Sequence, residues 1–157
     1  MFTKYLIAFF ISMVPLIELR GAVPYALAIG LPVLPAYIVC IIGNMLPVPF
    51  IFFFARKVLV WGCDKPVIGK FFTFCLNKGD RAEKVLMEKA GSRGLFIALL
   101  LFVGIPLPGT GAWTGTLAAS FLNMGIENTT LAVCLGVILA GLIMAIASTG
   151  LFSIIGL

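Results

Sequence analysis

Long apolar runs broken by short Pro- and Gly-rich stretches make up most of the chain. Residues 34–55 and 129–157 carry no acidic or basic side chain. Each is long enough to cross a membrane, whose hydrocarbon core needs about 20 apolar residues. Four shorter apolar runs are interrupted by prolines, glycines or polar residues: 2–17, 22–33, 94–105 and 112–124. These are suited to half-helices that enter the membrane and turn back. The pattern therefore predicts two spans and two re-entrant hairpins.

A charged segment, residues 56–93, separates the apolar arms 1–55 and 94–157. It holds nine of the 11 basic and four of the six acidic side chains, and hence the whole net charge of +5. Short loops rich in Lys and Arg stay in the cytoplasm, so we expect this linker to be cytosolic. The first span then runs inward and the second runs outward, which gives the two arms opposite orientations.

The two arms are similar in order as well as in composition. A shift of 90 positions places Gly21-Ala22 on Gly111-Ala112 and Leu27-Ala28 on Leu117-Ala118. Both arms have the order half-helix, break, half-helix, span. We predict a single-domain, all-α integral membrane protein with two inverted repeats, an arrangement typical of secondary transporters. If every half-helix spans instead, the chain is a six-span bundle.

The linker itself is predicted to be partly helical. Apolar side chains recur near a helical period at Val67, Ile68, Phe71, Phe72 and Cys75, which indicates an amphipathic helix on the inner leaflet. A second, more polar helix is predicted over 78–89. A solvated connector is the simpler interpretation, and a docking site for anionic lipid or a partner is the alternative.

Composition narrows the class of protein. The chain is 62% hydrophobic and 11% charged, against about 25% charged residues in soluble domains. This excludes a nucleic-acid-binding domain and an ordinary soluble enzyme. Histidine is absent, the four cysteines form no C-x-x-C pair, and there is no Walker A motif. We therefore expect no catalytic residue, no metal site and no cofactor.

Glu18 and Arg20 are the opposite charges that stand inside an apolar arm, in a stretch bounded by Pro15 and Pro24. An ionisable group at membrane depth costs at least about 2.5 kcal/mol and usually has a role. Ala26-Leu27-Ala28 could pass for a leader cleavage site, but cleavage would remove both charges and the chain after it is just as apolar, so we expect residues 1–28 in the mature chain. Residues two apart do not face each other on an α-helix, so each is expected to engage another partner or to lie on non-helical backbone.

Three interpretations of this pair remain open. In the functional one, Glu18 takes up and releases a proton, and Arg20 binds an anionic group through its fork of donors, with Pro24 beside it. In the structural one, the charges neutralise each other and fix the tip of the hairpin. In the third, both are ordinary charges at the membrane interface.

Residues 104–115 form the second break, because two prolines and four glycines exclude a continuous helix there. A half-helix that begins near Thr110 would present free N–H groups to an anion. The candidate substrate-binding residues of this stretch are Pro106, Pro108, Gly109, Thr110, Gly111, Trp113 and Thr114. Tight packing of small residues is the alternative. Asn44, an amide inside the first span, is a further candidate, although a packing role is the simpler interpretation.

Segments 17–24 and 104–115 resemble the signatures of the small multidrug export protein family, and the resemblance extends over nearly the whole chain. The arrangement is more distantly similar to the DedA superfamily, also known as the SNARE-associated or VTT fold. Its bacterial members have paired re-entrant hairpins and are implicated in moving undecaprenyl phosphate with the proton-motive force. That resemblance implies Glu18 as the acidic residue of the first hairpin. It also implies arginines at the second, where this chain has Thr110, so Arg20 would have to supply the positive charge.

The predicted function is a small secondary transporter in the cytoplasmic membrane of a prokaryote. It is expected to be proton-coupled and to move an amphiphilic or lipid-like substrate, with a polyprenyl phosphate as one candidate. The alternatives are a multidrug or cation exporter and, in another class, a non-transporting scramblase-like or assembly factor. The expected partners are membrane lipids, protons, the substrate and a second copy of the chain.

Overall fold

The computed structural model describes residues 1–64, 69–107 and 109–155, and every regular element among them is an α-helix, which confirms the all-α class. The helices are α1 (Phe2–Met13), α2 (Glu18–Ala28), α3 (Val33–Met45), α4 (Pro47–Cys63), α5 (Gly69–Gly104), α6 (Ala112–Phe121) and α7 (Ile126–Ile155).

The first break follows the prolines, as the sequence predicts, but α2 begins earlier than expected. α1 ends at Met13, ahead of Pro15, which has no backbone N–H to continue the helix. α2 begins at Glu18 rather than at residue 22, includes Pro24 and ends at Ala28. Glu18 and Arg20 therefore lie in the first turn of α2.

The helix that contains the first predicted span is longer than the sequence indicated. Leu46 keeps helical dihedral angles between α3 and α4, so Val33–Cys63 forms 31 residues of nearly continuous helix. Pro47 marks the boundary because it cannot donate a backbone hydrogen bond. The basic residues 56–57, expected to end the span at residue 55, are instead part of α4. This helix and Ile126–Leu151 of α7 are both long and apolar enough to cross a membrane.

After the end of α4, the described part of the linker is one long helix. α5 runs from Gly69 through the predicted gap between two linker helices, and its first non-helical residue is Gly91, with φ 66° and ψ −174°. The predicted boundary near residue 77 is therefore wrong, since no proline interrupts the chain between Pro66 and Pro106. Val67 and Ile68 lie outside the described residues. Gly91 bends the chain because glycine adopts positive φ at little cost.

Small residues let the membrane helices approach closely. A Cβ atom on Gly136 of α7 would lie 2.7 Å from Cβ of Val103 and 2.8 Å from the carbonyl oxygen of Leu100, both on α5. Close helix contacts through small residues are the usual source of association inside lipid. The Tyr37 hydroxyl on α3 donates to the carbonyl of Ile138 on α7 at 2.7 Å. These contacts hold α7 against α5 of its own arm and against α3 of the other arm.

We expect Gly136→Ala to lower the melting temperature of the detergent-solubilised protein. The added methyl group meets backbone at Leu100, and overpacking of this kind costs about 1–3 kcal/mol. Gly150→Ala, on the same helix with nothing within 4 Å, is the control and should keep or raise the melting temperature. Equal melting temperatures for Gly136→Ala and the parent would contradict the close α5–α7 contact.

Candidate functional site

The two helix breaks, residues 14–17 and the described residues of 105–111, lie against each other. The indole N–H of Trp113, in the first turn of α6, donates to the carbonyl of Met13 at the end of α1, at 3.2 Å. Further hydrogen bonds join residues 83 to 95 positions apart across the same junction. The free backbone ends of one break are thus partnered by side chains from the other.

Arg20 partners the C-terminal end of α5. Its guanidinium donates to the carbonyl oxygen of Leu107, to those of Val103 at 3.2 Å and Ile105 at 3.3 Å, and to the Thr110 hydroxyl at 2.9 Å. The last carbonyls of a helix lack donors from their own helix, and a cation is favoured beside them. Arg20 therefore replaces the missing turn of α5.

Glu18 partners the opposite end of the gap, the start of α6. Its side chain is 5% exposed, and Oε1 accepts a hydrogen bond from the backbone N–H of Trp113 at 3.1 Å. A carboxylate is stabilised at a helix N-terminus by the free N–H groups and the helix dipole. Glu18 itself has φ 50°, a left-handed conformation that is uncommon outside glycine and frequent at functional sites.

Gly111 makes this approach possible. A Cβ atom at position 111 would lie 2.6 Å from Cδ and 2.7 Å from Oε1 of Glu18, so no larger residue fits while the carboxylate stays in place. The hydrogen bonds of Glu18 and Arg20 given above go to segment 103–113 rather than from one to the other. This agrees with their spacing of two residues in the chain.

A cleft of about 380 Å³ opens beside these hydrogen bonds. Seven of the predicted site residues line it: Glu18, Arg20, Pro106, Gly109, Thr110, Trp113 and Thr114. The remaining lining residues are Pro15, Leu16, Leu107, Leu117 and Met144. Leu16, at 86% exposure, shows that the cleft reaches the surface of the chain. A mostly apolar wall with one carboxylate, one guanidinium and hydroxyl groups fits an amphiphilic molecule.

Four predicted site residues lie elsewhere. Pro24 is half-buried inside α2 and does not line the cleft. Gly111 and Asn44 border a separate inner cavity of about 10 Å³. Pro108 lies outside the described residues.

Sequence reasoning missed the apolar residues of the cleft. Leu117 lies one helical turn after Trp113, so helical spacing could have identified it. Met144 carries no local signal, because it reaches the cleft only through the packing of α7.

Two apolar helices of membrane length indicate a helical membrane protein, in which partly buried hydrogen bonds join the two helix breaks. Residues 18–143 match a family model described as "Putative small multi-drug export protein". This match includes Glu18, Arg20 and the whole second break, and the chain belongs to that family. No curated protein and no solved structure matches the chain.

We expect Arg20→Met to reduce the free energy of unfolding by about 1–3 kcal/mol, the cost of removing the donor that the buried Val103 carbonyl accepts from. Arg20→Lys should recover only part of this, because an ammonium group lacks the planar fork that reaches several acceptors. Denaturant unfolding in detergent micelles measures the change.

Lys4→Met is the matched control for this measurement. Lys4 also donates to a backbone carbonyl, that of Ile29, at 2.7 Å, but it is exposed. Its loss should change stability by less than about 0.5 kcal/mol. Equal effects of the two Met variants would mean that Arg20 does not hold the end of α5.

Proposed function

We propose that this chain is a small secondary transporter of the cytoplasmic membrane that moves an amphiphilic, lipid-like anion together with a proton. The observation that carries the proposal is the Glu18 carboxylate at the N-terminal end of α6, inside a mostly apolar cleft of about 380 Å³. The drug-export description of the family supports transport rather than catalysis.

The proposed coupling depends on competition for the start of α6. A helix N-terminus binds anions, and in this conformation the bound anion is Glu18. Protonation removes the charge of Glu18 and with it a charge–dipole interaction worth about 0.3–2 kcal/mol. The anionic group of a substrate then takes the place of the carboxylate, beside Thr110 and Trp113. Proton and anion therefore bind in the same step.

We further propose that the arms are inverted repeats with re-entrant breaks. Arg20 and Thr110 are equivalent under the shift of 90 positions, and their side chains hydrogen-bond to each other at 2.9 Å. Equivalent residues meet in this way on a two-fold axis. In the proposed cycle one arm rocks against the other about this point, with the basic linker on the cytosolic side.

A second copy of the chain is the proposed partner that completes the transport path. The cleft is open where Leu16 and Leu107 are exposed. A neighbouring copy placed there would close the wall that this chain leaves incomplete.

Cysteine accessibility tests the topology in a background without the four native cysteines. We expect Phe2→Cys to react with an impermeant maleimide from outside and Lys78→Cys to react from the cytosol, since both residues are exposed. Leu16→Cys and Leu107→Cys, in the two breaks, should react more slowly than those two variants, whichever side the maleimide is added to. Rapid labelling of Leu16→Cys from the cytosol would instead show that α1 spans the membrane.

Transport is tested with purified protein in vesicles that carry a fluorescent polyprenyl phosphate. We expect a pH gradient to accelerate its movement, and Glu18→Gln to abolish that acceleration because the side chain can no longer gain or lose charge. Glu127→Gln, at an exposed glutamate in the first turn of α7, should behave like the parent.

Three outcomes contradict the proposal in different ways. Movement of a cationic dye but not of the lipid phosphate indicates a cation exporter. Lipid movement that is indifferent to the pH gradient and to Glu18→Gln indicates a scramblase-like protein. No movement of either probe indicates a non-transporting factor.

A further inference from the structure

Asn44 is a buried amide whose oxygen has no hydrogen-bond donor in the part of the chain that the structure describes. Its side chain is 2% exposed and lies near the end of α3. The preceding Gly43 packs closely on α1, where its Cβ atom would lie 2.6 Å from the Phe9 carbonyl oxygen, so α3 has little freedom to turn there. An unsatisfied buried acceptor costs about 1–3 kcal/mol, which favours a partner.

A cavity of about 10 Å³ lies next to this amide. Three of the residues that border it have polar side chains, Asn44, Glu18 and Arg20, and the others are small or apolar: Leu19, Val103, Gly111, Ala112, Val137 and Ala140. One water molecule needs about 10–15 Å³ and two to four polar partners. The volume and the three polar groups therefore fit a single water molecule.

Glu18 and Arg20 border both this cavity and the larger cleft. These two residues therefore connect the wall of the cleft with the wall of the cavity that Asn44 borders. The Oε1 atom of Glu18 already accepts from the Trp113 N–H. A carboxylate has about four acceptor positions on its two oxygens, so Glu18 retains capacity for a further donor beside the backbone N–H groups at the start of α6.

We infer that Asn44 and Glu18 hold one water molecule in the inner cavity. The water donates one hydrogen to Oδ1 of Asn44 and the other to the Glu18 carboxylate. A sodium ion is not favoured over water, because the opposite charges of Glu18 and Arg20, which both border the cavity, offset each other. The water would hydrate Glu18 on the side away from the substrate, and in this respect it deepens the proposed function. Any role of the water in coupling rests on that function.

Nuclear magnetic resonance of the labelled protein in lipid nanodiscs tests the site. The backbone amides of Gly111 and Ala112 belong to residues of the cavity wall, and we expect cross-peaks between them and a long-lived water. Asn44→Leu should remove these cross-peaks. Thr129→Val is the control, because the Thr129 hydroxyl is also buried without a partner in the described residues and does not line this cavity. It should leave the cross-peaks in place.

A second variant keeps the test decisive if Asn44→Leu does not fold. Ala140→Val fills the cavity from α7 and leaves Asn44 intact, so it should also remove the cross-peaks. Their absence in the parent, or their persistence in both variants, would overturn the inference. Stabilisation of the parent by sodium over choline chloride that disappears in Asn44→Leu would show that the ligand is a cation. A failure of transport alone leaves the cross-peaks unchanged, which separates this inference from the proposed function.

Discussion

Broken helices inside an apolar medium must find partners for their free backbone groups, and this constraint organises the molecule. Apolar surroundings offer no hydrogen bonds, so the partly buried end of α5 and start of α6 take donors and acceptors from the rest of the protein. Arg20 supplies the donors and Glu18 the acceptor, while Trp113 serves the end of α1. Each arm therefore completes the backbone of the other, and neither break is satisfied by its own arm alone.

This arrangement joins the structural and the functional interpretations of the two charges. The sequence offered a pair that neutralises itself or a pair that binds substrate. In the structure the charges are matched to opposite ends of helix dipoles, which stabilises the junction and also leaves both side chains on the wall of the cleft. A change in the charge of Glu18 or in the position of Arg20 alters the junction between the arms and the ligand environment together.

The helix ends could be predicted from the prolines and glycines, whereas hydrogen-bond partners that lie far apart in the chain could not. The breaks near Pro15 and at residues 105–111 follow from missing backbone donors, which a local pattern records. The bonds of Arg20 to residues 83 to 90 positions away depend on how α2 and α5 each pack against α7. The extension of α4 to Cys63 differs from the prediction, because the basic residues were expected to end the helix. Charged residues indicate where a helix would leave lipid, and they do not by themselves end the helix. The inner cavity beside Asn44 likewise arises from packing.

The energies of the contacts made by Glu18 and Arg20 indicate different roles for the two residues. Loss of the charge–dipole interaction at Glu18 is worth about 0.3–2 kcal/mol, and one or two kcal/mol changes an equilibrium by roughly 5- to 30-fold. A free-energy change of this size is enough to shift the equilibrium between two conformations of the arms. It is also small enough for the uptake or release of one proton to reverse the shift. Arg20 holds several carbonyls and the Thr110 hydroxyl at once, and its charge does not change at cellular pH. In the proposed cycle, Glu18 therefore sets which conformation is favoured, and the contacts of Arg20 set how slowly the arms exchange.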